Sequence, residues 1–513
     1  MSDLSTAAQV HVEVRTGAYH DSVTLMQVSR SLAALDGVQA AQVAMGTPLN
    51  CEVLAAMGLA APAGTGPNDL VVALRVQDDA ARQRALEHLA AALAAPATPG
   101  EHGEQPPRTT ASALRRAPAG LVVVSVPGES AMAEAMDAVQ AGCSVVVFSD
   151  NVDLDQEVAL KQAAADQDVL VMGPDCGTAV VHGVGVGFAN VVRAGPVSLV
   201  AASGTGAQHL MSLLDAAGVG VQHCLGVGGR DLSAAVGGRS ARQAMAALAL
   251  DPATELVVVV SKPPADQVAE ALRAHADRLG LAVVWALLGP GQPDLTVAAE
   301  QVLAALGVAV PVWPTWSPPP APPGQGAPGG PALRGLFVGG TLCEESMLIA
   351  TQVLGTVRSN LPLRPDWALE VDGSGDWDAG GAHAMVDFGA DELTRGRPHP
   401  MIDPTLRERR LVHEGTDPDV GVVLLDVVLG LGAHADPATG LAAAIGQARA
   451  IAARDGRELA VVVSLTGTRS DPQGLDTQAQ ALAAAGAHVR LSNAESTRHA
   501  LALLPGTPWA GAR

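Results

Sequence analysis

The chain has 513 residues, a formal net charge of −21, and 48% hydrophobic but only 2% aromatic residues. That length supports about three domains, and a core rich in Ala, Val, Leu and Gly suits parallel sheets covered on both faces by Ala-rich helices. The negative balance excludes nucleic acid and anionic membrane surfaces as general partners, because both require a basic face.

The run Arg407-Glu408-Arg409-Arg410 is the main basic exception and reads as a solvated helix face. The five cysteines, Cys51, Cys143, Cys176, Cys224 and Cys343, form no Cys-x-x-Cys pair. This argues against a disulfide framework or a metal site and fits a reducing, cytoplasmic setting. The start Met1-Ser2-Asp3 lacks the charged and apolar regions of a signal peptide. No apolar stretch is long enough and free enough of Gly and Pro to span a bilayer.

In chain order, an N-terminal α/β domain is expected over 1–108, closed by a Pro- and Gly-rich stretch from Ala95 to Arg108. A βα rhythm follows, with strands at 121–125, 145–149 and 169–172 alternating with helices at 130–141 and 154–167. These belong to a domain over 109–194. A next domain over 195–310 carries strands at 197–202, around 224–227 and at 256–261, with a helix at 208–217. The stretch 311–332, with Pro318-Pro319-Pro320 and Pro322-Pro323, reads as a linker without packed structure. A last domain over 333–513 resumes the rhythm with strands at 335–338, 422–425 and 459–464 and a helix at 344–354. Between Pro362 and Arg410 the pattern breaks down, as functional loops do. Alternating strands and helices predict parallel sheets with sites at the strand carboxyl ends.

Several such ends are rich in Gly and hydroxyl residues. Ser203-Gly204-Thr205-Gly206 stands between a strand and a helix, where bare backbone and free N–H donors suit a phosphate or carboxylate. The same form recurs at Gly339-Gly340-Thr341 and Thr466-Gly467-Thr468. Gly226-Val227-Gly228-Gly229-Arg230-Asp231 and Gly173-Pro174-Asp175-Cys176-Gly177 are two more turns of this kind. Together they predict one or two composite sites between facing domains.

The strings Gly173-Pro174-Asp175-Cys176-Gly177, Ser203-Gly204-Thr205 and Gly226-Val227-Gly228-Gly229 resemble, in this order and rough spacing, the α subunit of succinyl-CoA synthetases. The resemblance to the FdrA family covers almost the whole chain. It rests on Asp21-Ser22-Val23-Thr24-Leu25-Met26, Phe148-Ser149-Asp150-Asn151-Val152, Val260-Ser261-Lys262-Pro263-Pro264 and Gly396-Arg397-Pro398-His399-Pro400-Met401-Ile402-Asp403-Pro404, among others. It implies an α/β architecture with a Rossmann-like CoA-binding domain and two flavodoxin-like ligase domains. The family's members are commonly described as acyl-CoA synthetases, and the family also supplies a subunit of oxamate carbamoyltransferase that works with companion subunits.

The sequence departs from the ligases at one place. Nucleoside-diphosphate-forming CoA ligases carry a phosphorylated His in a loop that here runs Ala286-Leu287-Leu288-Gly289-Pro290-Gly291-Gln292-Pro293, without His. The usual phosphoryl relay to a nucleotide lacks its nucleophile, and no ATP-grasp domain is recognised. His399, fixed between two prolines, is the candidate substitute as nucleophile or acid/base, beside a structural role bonded to backbone. Lys262 and Asp426, at predicted strand ends, are further catalytic candidates; each could equally serve only to bond nearby backbone groups. Arg230, Arg397 and Lys262 are candidate charge-neutralising groups, with Ser203, Gly204, Thr205, Gly206, Gly340, Thr341, Thr466, Gly467 and Thr468 as the anion cradle. Ser496-Thr497-Arg498 echoes a carbamoyltransferase phosphate motif but lies in a late amphipathic helix.

The expectation is a transferase subunit that takes carbamoyl phosphate or another acyl phosphate to an oxamate-like acid, in a hetero-oligomer with companion subunits. Two alternatives stand: an acyl-CoA synthetase using CoA and a nucleotide, and a non-catalytic assembly subunit. No cofactor is fixed by the sequence; CoA or a nucleotide enters with the synthetase reading, and no metal-ligating residues are identified.

Overall fold

The structure, a computed structural model, describes residues 9–18, 20, 22–94, 107–319, 329–395 and 397–507. The chain divides into two compact units. The first is Met1–Pro107 with the short segment Thr394–Pro398, and the second holds the rest.

The first unit contains β1 (Gln9–Arg15), α1 (Ser22–Ala33), β2 (Val38–Met45), α2 (Pro48–Ala56), β3 (Leu70–Val76) and α3 (Asp79–Leu93). The strands form an antiparallel sheet in the order β1-β3-β2. The period-2 pattern of β3 decides what packs where. Leu70, Val72 and Leu74 meet Leu25, Val28 and Leu32 of α1 and Ala81, Ala85 and Leu89 of α3. Val71 and Ala73 point the other way, toward Leu54 and Leu59.

The second unit opens with α4 (Thr110–Arg116), β4 (Leu121–Val124), α5 (Gly128–Gln140), β5 (Ser144–Val147), α6 (Leu154–Asp166) and β6 (Val171–Met172), whose strands form a parallel three-stranded sheet. Next come β7 (Thr178–Val181), β8 (Val184–Gly187), β9 (Val197–Ala202), α7 (Gly204–Ala216), β10 (Val221–Gly226), α8 (Arg239–Ala249), β11 (Leu256–Ser261), α9 (Asp266–Leu279), β12 (Val283–Leu287) and α10 (Leu295–Ala305). They build a sheet in the order β12-β11-β9-β10-β7-β8, parallel from β12 to β10 and closed by an antiparallel hairpin. The expected strands at 197–202 and 256–261 coincide with β9 and β11; the β7–β8 hairpin was not foreseen.

The remaining elements are β13 (Thr315–Trp316), β14 (Ala332–Phe337), α11 (Gly340–Leu354), β15 (Ala384–Asp387), α12 (Asp391–Thr394), α13 (Thr405–Glu414), β16 (Val420–Val428), α14 (Pro437–Arg454), β17 (Ala460–Thr466), α15 (Leu475–Ala484), β18 (Ala487–Arg490) and α16 (Asn493–Leu503). Their sheet runs β13-β18-β17-β16-β14-β15 and is parallel except for β13. Part of the expected linker is therefore packed. Trp313 is buried and donates to Glu300, and β13 adds to β18. Residues 320–328 of that stretch, with its middle prolines, lie outside the described residues. The basic run is also not a solvated face. Arg407 and Arg410, one turn apart on α13, are buried against Asp426, Glu414 and the Trp377 ring, because each has a carboxylate partner that offsets its desolvation.

All five cysteines are free. No helix among the described residues is long and apolar enough to cross a membrane.

Candidate functional site

Each large sheet of the second unit has one strand where the chain order reverses. β9 lies between β10 and β11, and β14 lies between β15 and β16. Such switch points leave a crevice at the carboxyl ends of the strands. The two crevices of this chain meet. Ser203 Oγ, after β9, hydrogen-bonds Thr341 Oγ1, after β14, at 2.7 Å. A Cβ added to Gly339 would lie 2.8 Å from Thr205 Oγ1, and one on Gly206 would lie 3.1 Å from Thr341 Cγ2. The two Gly-Thr turns thus fill each other, and glycine is required because the opposing threonine occupies the space of a side chain.

This packing separates the predicted cradle residues. Ser203 is the N-cap of α7 and accepts the Gly206 N–H at 2.9 Å, so that donor is already used. Gly204 is exposed and Thr205 half-buried. On the other side, α11 starts at Gly340 with no side-chain cap on its first turn. Behind this turn, Asp426 accepts Val338 N–H at 2.8 Å and Gly339 N–H at 2.9 Å, and pairs with Arg407 Nη1 at 3.0 Å. Burial pushes the Asp426 carboxyl up, and Arg407 and the two amides oppose it. Asp426, fully buried, holds the shape of the Gly339-Gly340 turn.

Lys262 follows β11 and reaches this turn from the other sheet. A Cβ on Gly340 would lie 3.0 Å from Lys262 Nζ and 2.6 Å from Asp387 Oδ2. Among the described residues Lys262 makes no hydrogen bond and no ion pair within 4.0 Å, although it acts electrostatically on Asp387, Asp175 and Glu344. Asp387 ends β15 and is held rigidly. Its N–H donates to Asn360 Oδ1 at 3.0 Å, its carbonyl accepts from Asn360 Nδ2 at 2.9 Å, and its Oδ1 accepts the Gly389 N–H at 2.8 Å. Burial raises its carboxyl to about 6 against the pull of Lys262.

His399 stands on the other side of the same carboxylate. A Cβ on Gly389 would be 2.7 Å from His399 Nε2 and 3.1 Å from Asp387 Oδ1. Met401 N–H donates to His399 Nδ1 at 3.2 Å, which assigns the ring proton to Nε2. Burial, then the Arg407 charge, lower its pKa to about 4, so the ring is neutral at physiological pH. A neutral imidazole in this tautomer offers a donor, not a lone pair, to the site.

Asp175, at φ 59, reaches solvent at the edge of this cluster while protein surrounds it on the other sides. Lost hydration, then the Asp150 and Asp391 charges, push its carboxyl up to about 7. A cavity of about 560 Å³ opens beside Asn360 and Glu392, but its other acids, Glu370, Asp372 and Asp376, make it unsuited to an anion.

The other predicted residues lie elsewhere. Arg230 donates to Glu157 at 2.9 Å and to the Val152 carbonyl at 2.7 Å, where it braces the three-stranded sheet's helix α6. Thr466 Oγ1 bonds the buried His209 Nδ1 at 2.9 Å, and Thr468 Oγ1 donates to the Val191 carbonyl at 2.7 Å. A Cβ on Gly467 would lie 2.8 Å from Leu429 Cδ1. That turn joins the two large sheets and has no room for a ligand. Arg397 is exposed on the segment that groups with the first unit. Ser496 and Thr497 are fully buried in α16. Asp387 and Asn360 were missed by sequence reasoning; an Asp closing the apolar Ala384-Met385-Val386 stretch was the available signal.

A family model described as "AllF, heavy metal-associated domain" matches residues 7–109, and one described as "CoA-ligase" matches residues 336–503. The uncharacterized protein YahF of Escherichia coli K12 is 37% identical over 497 residues, which span 93% of this chain and 95% of that protein. Among solved structures, a dinucleotide-forming acetyl-coenzyme A synthetase 1 of Ca. Korarchaeum cryptofilum is 14% identical over 79% of this chain and 85% of its own, with a TM-score of 0.30. An ATP citrate lyase of Methanosaeta concilii is 17% identical over 39% of this chain and 37% of its own, with a TM-score of 0.27. Likenesses this loose carry no weight on substrate or mechanism.

The first match implies a heavy metal, and the residues do not fit one. Soft metals are held by paired thiolates or imidazoles; Cys51 is the sole cysteine of residues 7–109, and of its four histidines His11 and His88 are engaged by Glu13 and Ser31 while His102 lies outside the described residues, which leaves His20 and Cys51 as no more than two soft ligands among those described. No group of three or more His, Cys, Asp or Glu able to hold a metal occurs among the described residues.

Proposed function

The chain belongs to the succinyl-CoA synthetase-like FdrA-type family, and from that premise we propose that it is a CoA-ligase-like enzyme that binds an acyl phosphate with the phosphoryl group at the start of α11 and passes the acyl group to a thiol. The observation that carries this reading is the Lys262 ammonium, which has no hydrogen bond or ion pair among the described residues and is directed at Gly340, the first residue of α11, whose N-cap makes no side-chain hydrogen bond. Such an ammonium and a helix N-terminus both favour a doubly charged phosphoryl group. The neutral His399 Nε2–H adds a donor on the far side of Asp387.

In the transfer, the thiol sulfur bonds to the acyl carbon, the carbon–oxygen bond to phosphate breaks, and the thiol proton leaves with the phosphate. The protein supplies position and charge: Lys262 and the α11 amides neutralise the departing phosphate. CoA would be the substrate thiol, and no nucleotide enters this step.

Carbamoyl transfer to an oxamate-like acceptor is the second reading. It is favoured by the 286–293 loop, which follows β12 and contains no His, and by the donor tautomer of His399, which disfavours a phosphohistidine relay.

One assay tests both. The full chain is incubated with acetyl phosphate and CoA, and separately with carbamoyl phosphate and oxamate, while phosphate release and thioester or carbamoyl product are followed. Acceptor-dependent phosphate release with acetyl phosphate and CoA is the expected result. Release only with carbamoyl phosphate and oxamate would transfer the proposal to the second reading. Release with neither would favour an assembly role.

A further inference from the structure

Asp387 presents a conflict at this site. The residue is 5% exposed, Asn360 clamps its backbone from both sides, and Gly389 N–H occupies Oδ1. Oδ2 makes no hydrogen bond among the described residues and points at the bare Cα of Gly340, where Lys262 Nζ also converges. A carboxylate oxygen aimed at the place where a phosphoryl group is to sit would repel it; a protonated one would donate to it.

We propose that Asp387 is the proton-controlled gate of the anion site, with Oδ2 protonated when an anion is bound at the start of α11 and ionised when the site is empty. This rests on the reading of that site given above. Binding then takes one proton from solvent onto Oδ2, which becomes a hydrogen-bond donor to a phosphoryl oxygen. The rigid clamp is what makes the gate effective, because Asp387 cannot swing away to relieve the repulsion.

The groups around Asp387 pull in both directions. Lys262 faces it from the end of β11 and favours the ionised form, while Glu392 and Asp391 of α12 oppose ionisation. Asp426 of β16 adds its charge from behind the turn, itself held by Arg407 of α13. Glu344 and Cys343 of α11 lie within reach of the same field, and His399 is neutral above about pH 4. The balance leaves the Asp387 carboxyl at about 6, so at neutral pH the gate is mostly ionised and anion binding must reprotonate it. Asp175, at about 7, titrates nearby, and a variant at Asp387 isolates the gate from it.

The test is calorimetric titration of the full chain with sulfate, which stays a dianion throughout, from pH 5.5 to 8.5. Sulfate affinity is expected to fall by about tenfold per pH unit well above pH 6. Two buffers of different ionisation heat should report about one proton taken up per sulfate at the alkaline end. In Asp387→Asn, the amide oxygen can keep the Gly389 bond and the amide nitrogen can donate, as the protonated acid would. This variant should bind at pH 8 as tightly as the parent at low pH, with a flat profile. Weaker binding by Asp387→Asn at every pH, with no proton uptake by the parent, would overturn the gate and leave the site standing. If Asp387→Asn does not fold, the proton count on the parent decides alone. Absence of sulfate and acetyl phosphate binding at any pH would instead remove the site itself.

Discussion

Lys262→Met is expected to remove acyl phosphate turnover and to weaken sulfate binding by roughly 10- to 150-fold. That range corresponds to one charge-assisted hydrogen bond of about 1.5–3 kcal/mol. The loss should be specific to binding, since Lys262 makes no hydrogen bond or ion pair among the described residues that the fold would miss. It should also change the acids around it. Lys262 lowers the pKa of Asp387, Asp175 and Glu344, so without it these carboxyls hold their protons to higher pH. Lys262→Arg keeps the charge and should keep most of the binding. Titration calorimetry and kcat/KM for acetyl phosphate, with thermal melting as the folding control, check the set. Full binding by folded Lys262→Met would sink the assignment of this ammonium.

The second large effect is on stability. Lys161 is fully buried on α6, and its ammonium donates to Glu157 at 2.8 Å, Asp231 at 2.8 Å and the Val227 carbonyl at 2.9 Å. Asp231 in turn accepts the first amides of α8, from Ser240 and Ala241. One lysine therefore ties the small parallel sheet's helix to the turn after β10. Lys161→Met leaves the buried Asp231 without its cation and Glu157 with Arg230 alone, and should cost about 3–5 kcal/mol. Urea unfolding followed by circular dichroism should show a lower midpoint. The triple change Lys161→Met, Glu157→Gln, Asp231→Asn removes all three charges and should recover part of the loss. A midpoint unchanged by Lys161→Met would show that water replaces the ammonium.

The sequence made the large sheets legible because their central strands are buried on both faces. Unbroken Val-rich runs such as Val257–Val260 permit little else, and the predicted ends of β9 and β11 hold to the residue. It also placed Lys262, His399, Gly340 and Thr341, all found around the same turn. What it could not supply was which strand ends face one another. Thr466 and Thr468 have the same composition as Thr341, yet they bond His209 and the Val191 carbonyl at the joint between the sheets. Asp426 and Asp387 are both acids at buried strand positions, and only tertiary structure separates the one that braces two amides from the one with a free oxygen. β15 was hidden because four residues inside an irregular stretch carry no period. Arg407 and Arg410 looked solvent-facing because their partners, Asp426 and Glu414, were not yet placed beside them.

The most direct test is a crystal structure of the full chain soaked with acetylphosphonate, a stable stand-in for acetyl phosphate. The phosphonate is expected against Lys262 Nζ and the first amides of α11, with one oxygen within hydrogen-bond distance of Asp387 Oδ2. Phosphonate density at Ser203–Gly206 instead, or at no strand end of either large sheet, would contradict that placement.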